Sequence, residues 1–216
     1  MTRPPSASSG SSAPAARRPD SWSGALVVMA ALLGLLWAIE AIDLATDHGL
    51  LQFGLRPRQV DGLDGVLLSP FLHAGVGHLM GNSVPFVLLG WFVLISGWRP
   101  WLMATAIIVV LGGLATWLVA PSGLIVGASG VVMGWLGYLL ARAYFARSLL
   151  AVFAALVVVL LFGSLLWGLL PTVPQGVSWP GHLCGFLAGI AAAGLLHARG
   201  ADDAAPGRRV SATGAR

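Results

Sequence analysis

The sequence predicts an all-α, polytopic membrane protein whose six transmembrane helices form one bundle. The chain has 216 residues, of which 57% are hydrophobic and 9% are charged, whereas soluble globular domains are about one-quarter charged. Six apolar stretches are each long enough to cross a bilayer core of about 30 Å. Arginines also concentrate in those connections that would share one side of the membrane.

The six predicted spans are separated by proline, glycine or arginine residues. The clearest breaks are Pro100, Pro121 and the segment 171–180. The weakest lies between the fourth and fifth spans, where the polar residues are Arg142, Arg147 and Ser148. A span of about 20 apolar residues suffices for one crossing. We place the spans at residues 24–45, 79–97, 101–120, 126–146, 149–170 and 181–198.

Polar tails flank this membrane domain. Residues 1–21 are rich in Ser, Pro, Ala and Arg without a hydrophobic period, and residues 200–216 are similar, so we expect both tails to be disordered. The membrane domain is then 22–199. The long connection 47–77 is too apolar for a solvated loop, and we expect it to pack on or dip into the outer leaflet.

Six spans place both termini on the same side of the membrane. The positive-inside rule makes that side the cytosol. Every basic residue is arginine, which indicates a GC-rich coding genome, so we expect a bacterial plasma membrane. The arginines on the predicted cytosolic side are Arg3, Arg17, Arg18, Arg99, Arg142, Arg147, Arg199, Arg208, Arg209 and Arg216, and those on the other side are Arg56 and Arg58.

Composition argues against several classes of site. Cys184 is the only cysteine, which excludes an internal disulfide, and no CxxC or Cys/His cluster predicts a metal site. The arginines form no continuous stripe, so we expect no nucleic-acid partner. The expected partners are the lipid bilayer and other membrane proteins, with no cofactor.

Four polar residues stand out in or directly beside predicted spans, where such side chains are costly: His78, Asn82, Ser129 and His182. Ser129 lies 13 residues before Arg142, roughly 20 Å along a helix, and His182 lies 17 before Arg199, roughly 25 Å. Asn82 lies 17 before Arg99. Polar groups from three helices therefore converge in the outer half of the membrane.

Each of these residues has a simpler explanation when taken alone. A serine between glycines is more often a helix-packing residue, a single histidine can be a satisfied core or interfacial residue, and Asn82 could link helices through its amide. Their common depth favours a functional site.

Glycine rows predict which helices meet. Gly130 and Gly134 are four apart, and Gly181, Gly185 and Gly189 repeat at the same interval, which permits close helix contact. His182 lies on the same helix face as Gly189. If the sixth span packs on the fourth, Ser129 meets His182.

A serine beside a neutral histidine is the smallest unit of nucleophilic catalysis. The only acids near a span are Glu40 and Asp43 in the first helix, which we place at the outer interface in a structural or gating role. We therefore predict a dyad without a carboxylate. The Ser129 backbone N–H, with His78 and Asn82, could bind the oxyanion.

The chain resembles the rhomboid family of intramembrane serine proteases in three blocks: HAGVGHLMGN at 73–82, GASG at 127–130 and GHLCGFLAG at 181–189. The resemblance implies that Ser129 is the nucleophile, His182 the general base, His78 and Asn82 the oxyanion-hole side chains, and His73 a structural residue. It further implies a rhomboid-like six-helix bundle that cleaves single-pass or otherwise membrane-anchored proteins without metal or nucleotide. The fifth span and the segment 171–179 would be gate and lid. Other residues expected close to the site in structural roles are Gly127, Gly130, Met133 and Gly185.

Two positions depart from the family pattern. Some members carry a Trp-Arg pair in the long first loop, which Arg56 and Arg58 do not reproduce. Some carry an aromatic residue four positions after the serine, where this chain has Met133; a thioether packs against imidazole more loosely.

Two other functions remain open. An inactive rhomboid-like protein would bind transmembrane helices without cutting them, but such proteins typically lack the serine or the histidine. A small transporter would be expected to show paired internal repeats, and the sequence has no convincing self-similarity.

Overall fold

The computed structural model describes residues 22–146, 149–173 and 176–204, and in this part of the chain all six predicted spans are helical. The predicted tail 1–21 and most of the tail 200–216 lie outside the described residues. The six long helices are α1 (Trp22–Ala45), α2 (Val76–Leu94), α3 (Trp98–Val119), α4 (Ser129–Ala146), α5 (Leu149–Phe162), which a 3-10 segment (Gly163–Leu169) continues, and α6 (Trp179–Ala204).

Five of these helices are long and apolar enough to cross a membrane by length and composition. The exception is α4, in which Ser129, Tyr138 and Arg142 accompany several glycines. Every residue from 131 to 138 is buried, so α4 is the central helix of the bundle. A helix surrounded by other helices needs less hydropathy than one that faces lipid.

Two helix ends differ from the prediction because of glycine conformation. α2 ends at Leu94, three residues before the predicted end, and Gly97 then has a φ of 127°. α4 begins at Ser129 instead of residue 126, because Gly127 has a φ of 118°. Both φ values lie in the region that favours glycine, and neither is compatible with a regular helix. Gly97 therefore lies beyond the end of α2, and Gly127 lies before the start of α4.

Helices α4 and α6 meet backbone to backbone, as the glycine spacing predicts. A Cβ on Gly185 would overlap the carbonyl oxygen of Gly130, and one on Gly189 would overlap that of Gly134. These contacts leave no room for a side chain, so the axes of the two helices approach closely. The first turn of α6 is thereby held beside the first turn of α4.

Helix α3 widens beside this contact. Its residues Ile108–Gly112 form a π-helical turn, a feature that occurs mostly as single turns and frequently at functional sites. A Cβ on Gly112 would lie 3.2 Å from the Cα of Gly185. The Thr116 hydroxyl donates to the Gly112 carbonyl at 2.7 Å, which satisfies a carbonyl of the widened turn.

The long connection between α1 and α2 is folded onto the bundle. Leu55 and Ile125 exchange backbone hydrogen bonds of 3.0 and 2.9 Å in an antiparallel bridge. Arg58 donates to the carbonyls of Leu118 and Ala120 at the end of α3. The loop is thus anchored without a Trp-Arg pair. Its short helical turns are Gly49–Phe53, Val60–Gly62, Gly65–Leu68 and Ser69–Phe71.

The two acids of α1 lie at the same end of the bundle as this loop. Asp43 accepts a hydrogen bond from the Leu50 N–H at 2.8 Å and pairs with His48 at 2.9 Å. This hydrogen bond raises the pKa of His48. Asp43 therefore has a structural role, whereas the carboxylate of Glu40 is buried without a hydrogen-bond partner among the described residues.

Candidate active site

A cavity of about 580 Å³ lies between α2, α3, α4, α6 and the 3-10 segment after α5. Its walls are mostly glycine and aliphatic residues. The polar side chains that the sequence predicted to converge all line this cavity: His78, Asn82, Ser129 and His182.

Ser129 and His182 are in direct contact. Ser129 is the first residue of α4, His182 lies in the first turn of α6, and His182 Nε2 is 2.9 Å from Ser129 Oγ. The other ring nitrogen, Nδ1, lies 3.0 Å from the carbonyl oxygen of Gly168. A carbonyl can only accept, so the bonding pattern assigns the proton to Nδ1. Nε2 then faces the serine hydroxyl with a free lone pair.

The capped start of α6 fixes the position of His182 along the helix axis. Ser178 precedes the helix, and its hydroxyl oxygen accepts from the Gly181 N–H at 3.2 Å while its carbonyl accepts from the His182 N–H at 3.0 Å. Serine is a favoured N-cap residue and proline is favoured in the first turn, where Pro180 stands. Ser178 was missed by the sequence reasoning, although the Ser-Trp-Pro pattern carries this capping signal.

The loop before Ser129 is held by two hydrogen bonds. The Gly127 N–H donates to the Ser69 carbonyl at 2.9 Å, and the Ala128 N–H donates to His73 Nε2 at 3.3 Å. A Cβ on Gly127 would lie 2.7 Å from the imidazole of His78. The glycine therefore supplies both the required φ and the close approach of this ring.

His73 is a buried neutral histidine. It is 1% exposed, and its Nε2 must be unprotonated because it accepts from Ala128. Burial and the neighbouring His78 ring, at a centroid distance of 5.2 Å, lower the pKa of His73 to about 4. His73 thus supports the loop before Ser129, and the ring of His78 lies between His73 and the cavity.

His78 and Asn82 lie one turn apart on α2. His78 Nδ1 accepts from the Ala74 N–H in a long hydrogen bond of 3.4 Å, an arrangement that leaves the proton on Nε2, beside Gly127. The Asn82 side-chain NH₂ donates one hydrogen to the His78 carbonyl at 3.0 Å. One hydrogen of that amide remains for a ligand in the cavity.

Other predicted residues lie around the site without entering its chemistry. Met133 is buried in the core one turn after Ser129, and Gly130 and Gly185 form the helix contact described above. Glu40 and Asp43 do not line the cavity. No group of three or more His, Cys, Asp or Glu side chains within the described ranges is placed to hold a metal ion.

Gly168 was also missed by the sequence reasoning. It contacts His182 through its backbone carbonyl, and a backbone acceptor leaves no signature in residue type.

The fold and this site define a multi-pass helical membrane protein with a serine–histidine pair in a cavity between its helices. A sequence model of the Rhomboid domain matches residues 62–199, and the chain belongs to the rhomboid family. Similar proteins include uncharacterized proteins of Mycobacterium tuberculosis and Mycobacterium bovis, each 42% identical over 174 residues that cover 77% of this chain and 72% of the relative. An uncharacterized protein of Mycobacterium leprae is 35% identical over 185 residues, or 82% of this chain and 73% of the relative.

Proposed function

We propose that this rhomboid is a serine endopeptidase that cleaves membrane-anchored proteins in or near their transmembrane segment. The observation that carries the proposal is the 2.9 Å contact between His182 Nε2 and Ser129 Oγ inside a cavity of about 580 Å³.

The reaction follows from the tautomer of His182. Ser129 Oγ attacks the scissile carbonyl carbon while its proton passes to Nε2, and a tetrahedral oxyanion forms. The imidazolium then donates this proton to the departing amide nitrogen as the C–N bond breaks, which leaves an acyl ester on Ser129. Water attacks the ester, His182 takes its proton, and the new carboxyl terminus leaves as the serine hydroxyl is restored.

Three hydrogen-bond donors of this cavity are available to an oxyanion. The Ser129 N–H is at the start of α4, where backbone donors lack helical partners, and His78 Nε2–H and the spare Asn82 N–H line the same cavity. Loss of one such donor typically costs about 3–4 kcal/mol of barrier. We assign these three groups to the oxyanion hole.

The site lies within the bilayer, towards one face. Ser129 lies 13 residues before Arg142 on the same helix, roughly 20 Å along its axis. We place the arginine end, and with it both termini, in the cytosol of a bacterial cell. Substrates then enter from the lipid or from the outer face, past α5 and the segment 171–179.

A rhomboid that binds helices without cutting them is the alternative function. It requires no proton acceptor beside Ser129, whereas His182 occupies that position with its Nδ1 proton already engaged. This engagement of both ring nitrogens favours the protease.

The test is cleavage by the purified protein in liposomes that also contain a panel of single-pass substrates. We expect cleavage by the wild type and by Ser122→Ala, which changes an exposed serine in the same loop. We expect Ser129→Ala and His182→Ala to lose at least about 10³-fold. Cleavage by Ser129→Ala at the wild-type rate would exclude the protease, and a wild type inactive on the whole panel would favour the binding protein.

A further inference from the structure

The fifth span is the least enclosed part of the bundle. Of the residues in Val152–Leu169, 11% are buried, whereas 22–33% are buried in the corresponding stretches of the other four candidate spans. Within the described side chains of α5, only Val158 and Phe162 are buried. A span with so few buried contacts opens locally at lower free energy than its neighbours.

This loose span supplies the acceptor for the catalytic base. After Phe162 the α-helix changes to the 3-10 segment Gly163–Leu169. Gly168 lies near the end of this segment, where carbonyls lack helical partners. Its carbonyl accepts the His182 Nδ1–H at 3.0 Å, and this is the only hydrogen bond that Nδ1 makes among the described residues.

We propose that the Gly168 carbonyl is a positioning group for His182, and that it makes the reactivity of Ser129 depend on where the 3-10 segment lies. The inference rests on the proposed protease function. An outward shift of about 1 Å stretches a hydrogen bond beyond its working range. The imidazole is then free to rotate or to carry its proton on Nε2, and in that tautomer it cannot accept the serine proton.

The coupling has a consequence for substrate choice. A transmembrane segment that enters by displacing α5 and the 3-10 segment meets a disengaged base. Acylation follows only when the segment returns to His182 with the substrate in place. A helix that wedges the span open without settling in the cavity is therefore bound and released uncut.

The absence of a side chain at position 168 permits this contact. A Cβ on Gly168 would lie 2.9 Å from His182 Nδ1, so Gly168→Ala must displace either the ring or the segment. Gly163 offers a matched control in the same segment. A Cβ there meets Val159 Cγ1 at 3.5 Å, an ordinary contact.

The experiment compares the full-length wild type, Gly168→Ala and Gly163→Ala in liposomes. The first readout is the rate at which diisopropyl fluorophosphate labels Ser129, which requires His182 as base but no transmembrane substrate. We expect Gly168→Ala to lower the limiting labelling rate at least tenfold, while the probe concentration that gives half of that rate stays within twofold of the wild-type value. We expect Gly163→Ala to match the wild type in both quantities. The second readout is the ¹⁵N NMR signal of His182, assigned by its absence in His182→Ala. We expect a single Nδ1–H tautomer in the wild type and a mixture in Gly168→Ala.

The outcomes separate the two claims. A folded Gly168→Ala variant with the wild-type labelling rate and tautomer overturns the coupling. If the variant does not fold, the wild-type spectrum decides, because a proton on Nε2 overturns the coupling and a proton on Nδ1 supports it. If the wild type is not labelled at Ser129, the protease fails instead, and the tautomers of wild type and variant still test the contact.

Discussion

At the scale of single residues, His182 has one partner on each ring nitrogen, and neither partner is a carboxylate. Ser129 Oγ lies at Nε2 and the Gly168 carbonyl at Nδ1. A neutral carbonyl orients the ring as the third member of a triad does, but it stabilises the imidazolium less than an anion would. In the proposed mechanism, the orientation of the base therefore depends on the geometry of a backbone segment instead of an acid.

His73 provides a test of stability against pH. Its pKa is about 4 in the folded protein and about 6.5 in an unfolded chain. Above pH 6.5, His73 is neutral in both the folded and the unfolded protein, and it does not reduce the free energy of unfolding. As the pH falls from 6.5 to 4, the unfolded state binds a proton that the folded state refuses, so stability falls by up to about 3 kcal/mol.

The measurement is thermal unfolding in detergent between pH 4 and 8, for the wild type and His73→Gln. A glutamine oxygen can accept from Ala128 without titrating. We expect the variant to lose less stability on acidification than the wild type. Identical pH dependence in both proteins would contradict a neutral, buried His73.

At the scale of helices, the contact between α4 and α6 holds Ser129 beside His182. Gly185→Ala places a methyl group against the Gly130 carbonyl, and overpacking of this kind typically costs about 1–3 kcal/mol, occasionally more. Gly194→Ala is the control on the same helix, because its Cβ meets Phe145 Cζ at 3.7 Å. We expect a lowered thermal unfolding midpoint and a loss of activity for Gly185→Ala, and neither effect for Gly194→Ala. Equal midpoints in the two variants would show that the contact does not stabilise the packing of α4 on α6.

The anchor of the long loop is a second feature at this scale. Arg58 donates to the free carbonyls at the end of α3, where a cation also interacts favourably with the helix dipole. We expect Arg58→Ala to lower the free energy of unfolding by about 0.5–1 kcal/mol. Arg56 is the matched control, since its contacts stay within the loop. It donates to the Gln52 carbonyl at 2.9 Å and pairs at 3.4 Å with an exposed Asp61, and exposed ion pairs contribute little.

Denaturant unfolding of both arginine variants measures this difference. Proteolysis of the loop gives an independent readout, and we expect faster cleavage in Arg58→Ala alone. Equal effects of the two substitutions would exclude Arg58 as the anchor.

At the scale of the whole molecule, the six-helix fold follows directly from the sequence because hydrophobic length and arginine placement are visible in residue type. The pairing of the fourth and sixth spans follows from their glycine rows for the same reason. The helix ends at Leu94 and Ser129 do not, since the sequence shows Gly97 and Gly127 without their φ values. The contacts that anchor the loop and the contact of Gly168 with His182 could not be predicted. Their acceptors are backbone carbonyls, which every residue type carries.

The orientation of the bundle in the membrane is a prediction about the whole molecule. Arg99, Arg142 and Arg199 lie at the end opposite Ser129, so we expect that end to face the cytosol. After Cys184→Ser removes the native thiol, an impermeant maleimide applied to intact cells should label Ser122→Cys and not Ala198→Cys. The reverse pattern would invert the topology.

The most direct test of the proposal that His182 activates Ser129 as a nucleophile is the intact mass of the protein after treatment with a fluorophosphonate. We expect one adduct with loss of fluoride, located on Ser129 by peptide mapping. The adduct should be absent in Ser129→Ala, and its rate of formation should fall at least about 10³-fold in His182→Ala. Labelling that proceeds at the wild-type rate without His182, or that falls on a residue other than Ser129, would contradict it.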